Sequence, residues 1–240
     1  MYIEYTMNAP LKQTVIQISS QEHCYRELKE RILRLELVPG ARIGALEVAA
    51  QLGLSRTPVR EALGRLEQEA LVTHDPAGGY IVRPMSVKEI DDLYRVREYL
   101  ETEAVLEAMP NLGEADFEKL GAILDEAAGL VGNVSDFLVA TRRFYEAIIA
   151  ATGNEVLVRV LAPINDRVRI VGAMLIAAHA SRMNEVLTLN GDILRALEAR
   201  DEAAVAAAVR AHVRSAREHV AAMLARDRAM VFVNPPGIPA

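Results

Sequence analysis

LGLSRTPVREAL (residues 52–63) sets Arg56 and Arg60 four positions apart in a largely apolar frame, just behind Gly53 and Ser55. Val59, Ala62, Leu63, Leu66 and Ala70 recur at helical spacing, which predicts one apolar stripe on a helix running on through GRLEQEAL. Arg56, Thr57, Arg60 and Gly64 then fall on the opposite side. Ser55 or Thr57 can cap the start, and Pro58 is tolerated only in a first helical turn. The N-terminal turn therefore offers two guanidiniums and a free helix end, which suits contacts to phosphate and guanine. Two arginines on a capped helix also describe an ordinary solvated surface, so the neighbouring segments must decide.

Upstream, Cys24, Leu28, Ile32 and Leu35 share one helical face, with Arg26, Lys29, Glu30 and Arg34 on the other, and Pro39-Gly40 signals the turn that ends the helix. A short helix follows around LEVAAQL, closed by Gly53, a residue suited to the left-handed position just past a helix end. Downstream, LVTHDPAGGYIV (71–82) sets two short β-type runs around Asp75, Pro76, Gly78 and Gly79, the signature of a hairpin. Helix, turn, helix and hairpin make the layout of a winged helix-turn-helix, whose second helix enters the major groove of DNA.

The chain has 240 residues and is 51% hydrophobic, 25% charged and only 5% aromatic, a soluble composition that leans to helices. Its formal charge of −6 excludes coating nucleic acid by bulk charge, and residues 21–85 are roughly balanced, so any contact to DNA has to come from a few side chains. The single cysteine, Cys24, excludes an internal disulfide and fits a reducing compartment. MYIEYTMNAPLKQTV lacks the layout of a signal peptide, and apolar runs such as VGAMLIAAHA fall short of the ~20 residues of a membrane span. A cytoplasmic protein without membrane contact is expected.

Residues 1–20 read as a loosely ordered arm, 21–83 as the winged unit, and RPMS (83–86) as a linker and helix cap. From there to 228 the pattern is helical, interrupted at MPNLG (109–113), GLVGN (129–133), ATGN (151–154), HASRMN (179–184) and EARD (198–201). That predicts about six helices in an antiparallel bundle over 84–228, before a Pro-rich disordered tail at 229–240. The expected fold class is mainly α: an N-terminal winged helix-turn-helix of three helices and a β-hairpin wing, followed by an all-α bundle.

Over about residues 20–83, the run from LKERILRLELVPGARI through LEVAAQLGLSRTPVREALGRLEQEALV to GGYIV resembles the DNA-binding domain of the GntR family of bacterial transcription regulators. The helical remainder, opening with LYRVREYLE, resembles the effector-binding FCD domain of the FadR subfamily. The resemblance implies DNA contacts from Ser55, Arg56, Thr57 and Arg60, with the wing tip at Gly78-Gly79. It also exposes departures. Gly78 and Leu46 stand where family members often carry basic residues, and Ala70 stands in place of a usual glycine. With two phosphate contacts missing, either non-specific affinity is weaker or Arg65, His74 or the N-terminal arm compensates.

Many FCD domains bind a divalent metal through one aspartate and three histidines. The positions that match the first three fall on Thr141, Tyr145 and Asn190, and only the fourth, His212, is a metal-binding residue type. One ligand of four does not hold zinc, so no metal or other cofactor is expected. Outside the winged unit, none of His179, His212 and His219 has an Asp, Glu, Cys or His three or four residues away; the one such pair, His23 with Glu27, reads as a solvated surface pair. Thr141, Tyr145, Asn190 and His212 line either a polar effector pocket or a dry core with satisfied hydroxyls. Arg97 matches an arginine that the family aims at acidic effectors, or else pairs with Glu101 one turn on; Arg169 is a second candidate. A small carboxylate is the effector class this implies.

The chain has no phosphate-binding glycine loop, no G-x-S-x-G, no H-E-x-x-H and no paired cysteines, so an enzyme is not expected. Asp91-Asp92 and Asp201-Glu202 are read as acids at helix starts. The reading is a homodimeric regulator that binds an inverted repeat in double-stranded DNA and responds to a small-molecule effector. The alternative is a helical ligand-binding or scaffold protein whose winged unit contacts protein.

Overall fold

The computed structural model describes residues 19–178 and 181–226. Residues 1–18 of the expected arm, the expected tail at 229–240 and His179 lie outside the described residues.

Helix α1 (Ser20–Leu33) starts where the Ser19 hydroxyl accepts the N–H of Glu22, and it closes Cys24, Leu28 and Ile32 completely from solvent. It stops before Leu35, which the stripe had included: Leu35 turns left-handed (φ 59°) and is half-buried. After β1 (Arg42–Ile43) and α2 (Ala45–Leu52), Gly53 takes φ 65° and ends α2 as expected. Helix α3 (Arg56–Gln68) buries Val59, Ala62, Leu63 and Leu66 fully, each large side chain contributing about 1.5–3 kcal/mol against the entropy of ordering it. Ala70 is not on this stripe. It follows the helix at φ 58°, and the Leu71 N–H reaches back to the Leu66 carbonyl, a left-handed helix ending made without glycine.

The wing is β2 (Val72–His74) paired antiparallel with β3 (Tyr80–Val82), and β1 joins β3 on its other side, giving the order β1-β3-β2. The third strand was not expected, because two residues with one buried side chain, Ile43, carry no readable period.

Among the described residues six further helices follow: α4 (Val87–Ala108), α5 (Glu114–Gly129), α6 (Val134–Ala150), α7 (Glu155–Ala178), α8 (Arg182–Glu198) and α9 (Glu202–Arg226), with a 3-10 turn at Met109–Asn111. Helix α4 packs on α9, α5 on α6 and α8, and α8 on α9. Asp91 and Asp92 are not at the start of α4 but in its second turn, paired with Arg217, Arg95 and Lys88. One apolar cluster runs from Cys24, Leu28 and Leu63 through Met85 and Tyr94 to Ile170, Val171, Val213 and Val220. The step from 83 to 84 therefore divides the chain without dividing its core. Among the described residues no helix is long and apolar enough to cross a membrane.

Candidate functional site

Helix α3 begins at the residue after Ser55, whose backbone is extended and whose hydroxyl makes no capping bond. Ser55, Arg56, Thr57 and Arg60 are all exposed there, and Pro58 sits in the first turn. Their setting is unusual for this chain. Among the described side chains, arginines from Arg26 to Arg217 are almost all held in ion pairs, and Arg200 donates to the carbonyls of Met109 and Leu112. Arg56, Arg60 and Arg210 have no such partner, and the first two stand one turn apart at a helix N-terminus. Such a pair, with a helix end whose N–H groups are free, can take phosphate oxygens or a guanine edge.

The other residues assigned to this face divide. Gly78 and Gly79 form the wing tip at φ 100° and 86°, where a side chain is strained. Arg65 does not join Arg56 and Arg60. Nine residues after Arg56 is about two and a half turns, so it leaves the opposite flank of α3. There it lies over the Tyr25 ring at 3.6 Å and pairs with Glu22 at 2.8 Å. His74 is likewise engaged, its Nδ1 2.6 Å from Glu67 and its ring 4.4 Å from Tyr80. Leu46, at the start of α2, is 61% exposed.

The second site is a cavity of about 130 Å³ between α4, α6, α7, α8 and α9. All six residues assigned to an effector line it: Arg97, Thr141, Tyr145, Arg169, Asn190 and His212. Each is buried, because helical periodicity turns one face of each helix inward; Thr141 and Tyr145 lie on the same face of α6 as Phe137, Phe144 and Ile148.

Their polar atoms are unequally served. The Thr141 hydroxyl donates back to the Phe137 carbonyl at 3.0 Å, so its proton is spent on its own helix. Arg97 donates from Nε to Glu101 at 2.8 Å, and its Nη2 stands 3.3 Å from His212 Nε2. Since a guanidinium only donates, Nε2 accepts and the His212 proton sits on Nδ1, which has no partner. Burial, with Arg97 and Arg182 nearby, holds the His212 pKa well below its ordinary value, so the ring is neutral. The Tyr145 hydroxyl, Glu101 Oε2, Arg169 Nε and both amide atoms of Asn190 also lack partners. Buried polar atoms left unmatched in one cavity mark a place that a polar ligand or water completes.

Polar lining residues not anticipated as part of the site include Tyr94, Arg142, Glu146, Asn165 and Arg182. Tyr94, Arg97 and Glu101 are spaced three and then four apart on α4, a signal that could have found Tyr94. Arg182, at the start of α8, falls on the same helical face as Val186 and Asn190, at steps of four, a signal that could have found it too.

The donors at the four family metal positions do not fit a divalent cation. Thr141 is turned onto its own helix, Asn190 and Tyr145 are neutral, and the accepting nitrogen of His212 already faces a guanidinium. Among the described residues no group of three or more His, Cys, Asp or Glu side chains converges.

Residues 20–82 match the model of the bacterial regulatory proteins of the gntR family, and residues 92–215 match the FCD domain. The chain is 33% identical over 134 residues to the Nta operon transcriptional regulator of Aminobacter aminovorans, covering 55% of this chain and 63% of that protein. It is 35% identical over 124 residues to the HTH-type transcriptional regulator McbR of Escherichia coli strain K12, covering 51% and 56%. The matched stretch thus spans less than two thirds of the length of either relative. Among solved structures, E. coli McbR/YncC superposes with a TM-score of 0.75 at 26% identity, covering 87% of this chain and 98% of that one. A GntR regulator of Rhodococcus sp. RHA1 shares the fold with a TM-score of 0.74 at 24% identity, covering 84% and 97%. These relatives and domain models are those of transcription regulators, not enzymes.

Proposed function

The chain belongs to the GntR family and carries a C-terminal FCD domain, and from that premise we propose that it reads duplex DNA with the N-terminal turn of α3 under the control of a small carboxylate held in the bundle. The observation that carries the DNA reading is the unpaired state of Arg56 and Arg60 in a chain whose other described arginines are nearly all engaged. Ser55 and Thr57 flank them, and Gly78-Gly79 brings the wing to the adjoining backbone. Acting on chromosomal DNA, such a protein works in the cytoplasm.

Two copies would read the two halves of an inverted repeat, since a two-fold protein imposes a two-fold site. Exposed apolar side chains support self-association: Val156 and Val160 lie one turn apart on α7, and Val96 and Tyr99 on α4. For the effector, the support is size and charge. A cavity of about 130 Å³ is close to the ~150 Å³ that accepts benzene, which suits a small ligand. Arg97, Arg142, Arg169 and Arg182 outnumber Glu101 and Glu146 in its lining, which favours an anion and opposes a metal.

The test begins with duplexes selected by the purified protein from a random library. Fluorescence anisotropy across a salt series then compares the parent with Arg56→Ala/Arg60→Ala. Affinity that falls with salt and is lost in the double variant supports the reading. The exposed Leu46, standing where a phosphate contact is common, favours the other reading, a winged unit that contacts protein. Salt-insensitive binding that survives the double substitution would overturn direct readout by this helix.

A further inference from the structure

The four arginines that border the cavity are not equally satisfied. Arg97 has Glu101 at 2.8 Å, Arg182 has Glu185 at 2.5 Å, and Arg142 has Glu146 at 2.5 Å and Asp166 at 3.1 Å. Among the described residues Arg169 has no close counter-ion. Its nearest carboxylate is Glu30 at 3.6 Å and its Nε donates to nothing, although the residue is only 8% exposed. A guanidinium so placed is a buried charge short of a partner, a costly state that an anion in the cavity relieves.

The partner it does have belongs to the other half of the molecule. Glu30 lies on α1 of the winged unit, while Arg169 lies on α7 of the bundle. The second ion pair between these helices is Lys29 with Asp166 at 2.6 Å, and Asp166 is shared with Arg142. Both ion pairs between α1 and α7 therefore lead to arginines in the cavity wall.

We propose that Arg169 is the anchor for an anionic ligand and that the ligand displaces Glu30 from it, converting occupancy of the cavity into loss of an ion pair between α7 and α1. The exchange is downhill for an asymmetric reason. Glu30 is half exposed, with its side chain at 48%, and returns to water at little cost, whereas Arg169 is buried and gains a full counter-charge. Arg97, the arginine first singled out, is a poorer anchor because Glu101 already neutralises it. A ligand acts on the winged unit only by preferring one arrangement, and the displaced Glu30 supplies that preference.

This inference rests on the reading of the cavity as an organic-acid site, and the test separates the two. Acetate, propionate, lactate, malonate and succinate are titrated calorimetrically into the full chain at matched ionic strength, with hydrogen exchange followed in α1 and, as a reference, in α5. At least one acid is expected to bind the parent, to bind tenfold or more weakly to Arg169→Gln, and to bind several-fold more tightly to Glu30→Gln. Exchange in α1 is expected to rise on binding, and in Glu30→Gln to be raised already without further response. Arg169→Lys, which keeps the charge in a smaller head, is the control for folding and should bind with intermediate affinity. An acid that binds the parent and Glu30→Gln alike, or leaves α1 exchange untouched, overturns the displacement while the organic-acid reading stands. If no acid binds the parent, both are overturned.

Discussion

Arg97 and Glu101 meet at 2.8 Å one turn apart on α4, both closed from solvent, so this arginine enters the cavity wall already carrying its own carboxylate. A pair of this kind is costly to break and cheap to replace. Glu101→Gln leaves Arg97 buried without a counter-charge and is expected to cost about 3–5 kcal/mol in urea unfolding. Replacing both by Met and Leu is expected to cost far less, or nothing. Equal losses in the two variants would mean the site tolerates a bare guanidinium.

Arg56→Ala and Arg60→Ala are each expected to weaken binding to the selected duplex by about tenfold to a hundredfold, and to relax the preference at one base pair. Because both side chains are exposed and unpaired, the unfolding midpoint should not move. Anisotropy and urea melts on the same preparations separate the two effects.

Ala70→Gly is expected to stabilise the protein by about 1 kcal/mol. Ala70 sits at φ 58°, a region that costs an L-residue about 1–2 kcal/mol and glycine almost nothing, although glycine gives back part of the gain through its freedom in the unfolded chain. A lowered melting temperature would show that the alanine methyl packs usefully enough to outweigh the strain.

His212 is expected to make stability fall in mild acid. Its pKa is depressed in the fold by burial, with Arg97 and Arg182 nearby, whereas the unfolded chain takes up the proton near the ordinary value of about 6.5. Below that pH the unfolded state binds more protons, so stability is lost progressively as pH drops from about 6.5 toward the depressed value, and is unaffected above it. The groups around the ring are Tyr94, Arg97 and Glu101 on α4, Tyr145 on α6 and Arg182 on α8. Urea melts between pH 7 and 5 should lose this slope in His212→Gln. A slope that persists unchanged would assign it elsewhere.

Asn190 is fully buried and neither amide atom has a partner. Asn190→Leu removes that unmet demand and is expected to raise the stability of the ligand-free protein by about 1–3 kcal/mol. The same change should abolish stabilisation by any organic acid that binds the parent. A variant that is more stable and still responds to the acid would take Asn190 out of the ligand site.

Much of this architecture is readable from short-range pattern. The α1 stripe of Cys24, Leu28 and Ile32, the left-handed Gly53 and the Gly78-Gly79 hairpin tip are each set by neighbours within a few residues, and helix breaks in the bundle fall at turn residues. Thr141, Tyr145 and Asn190 were pointed to by the resemblance to FCD domains, through the positions that match the family's metal ligands, and all three line one cavity. What pattern misread was the ends. Leu35 and Ala70 continue an apolar period past the point where the backbone turns left-handed, and period alone carries no information about φ. Strand β1 escaped because its pairing with β3 is a long-range event.

By itself, then, the sequence determined the helices, the wing and the position of Arg56 and Arg60 at a helix N-terminus, because periodicity, capping and turn chemistry act over a few residues. Only the tertiary structure decided which charges are free. Arg65 looks as available as Arg60 until Glu22 closes on it from α1, and Arg97 reads equally as an anion anchor or as the partner of Glu101 until both are seen buried together. Arg169 gains its meaning from Glu30, and Lys29 from Asp166, partners on helices far apart in the chain. Charge pairing depends on distances of a few ångströms and on the local exclusion of water, and both are set only when distant helices pack.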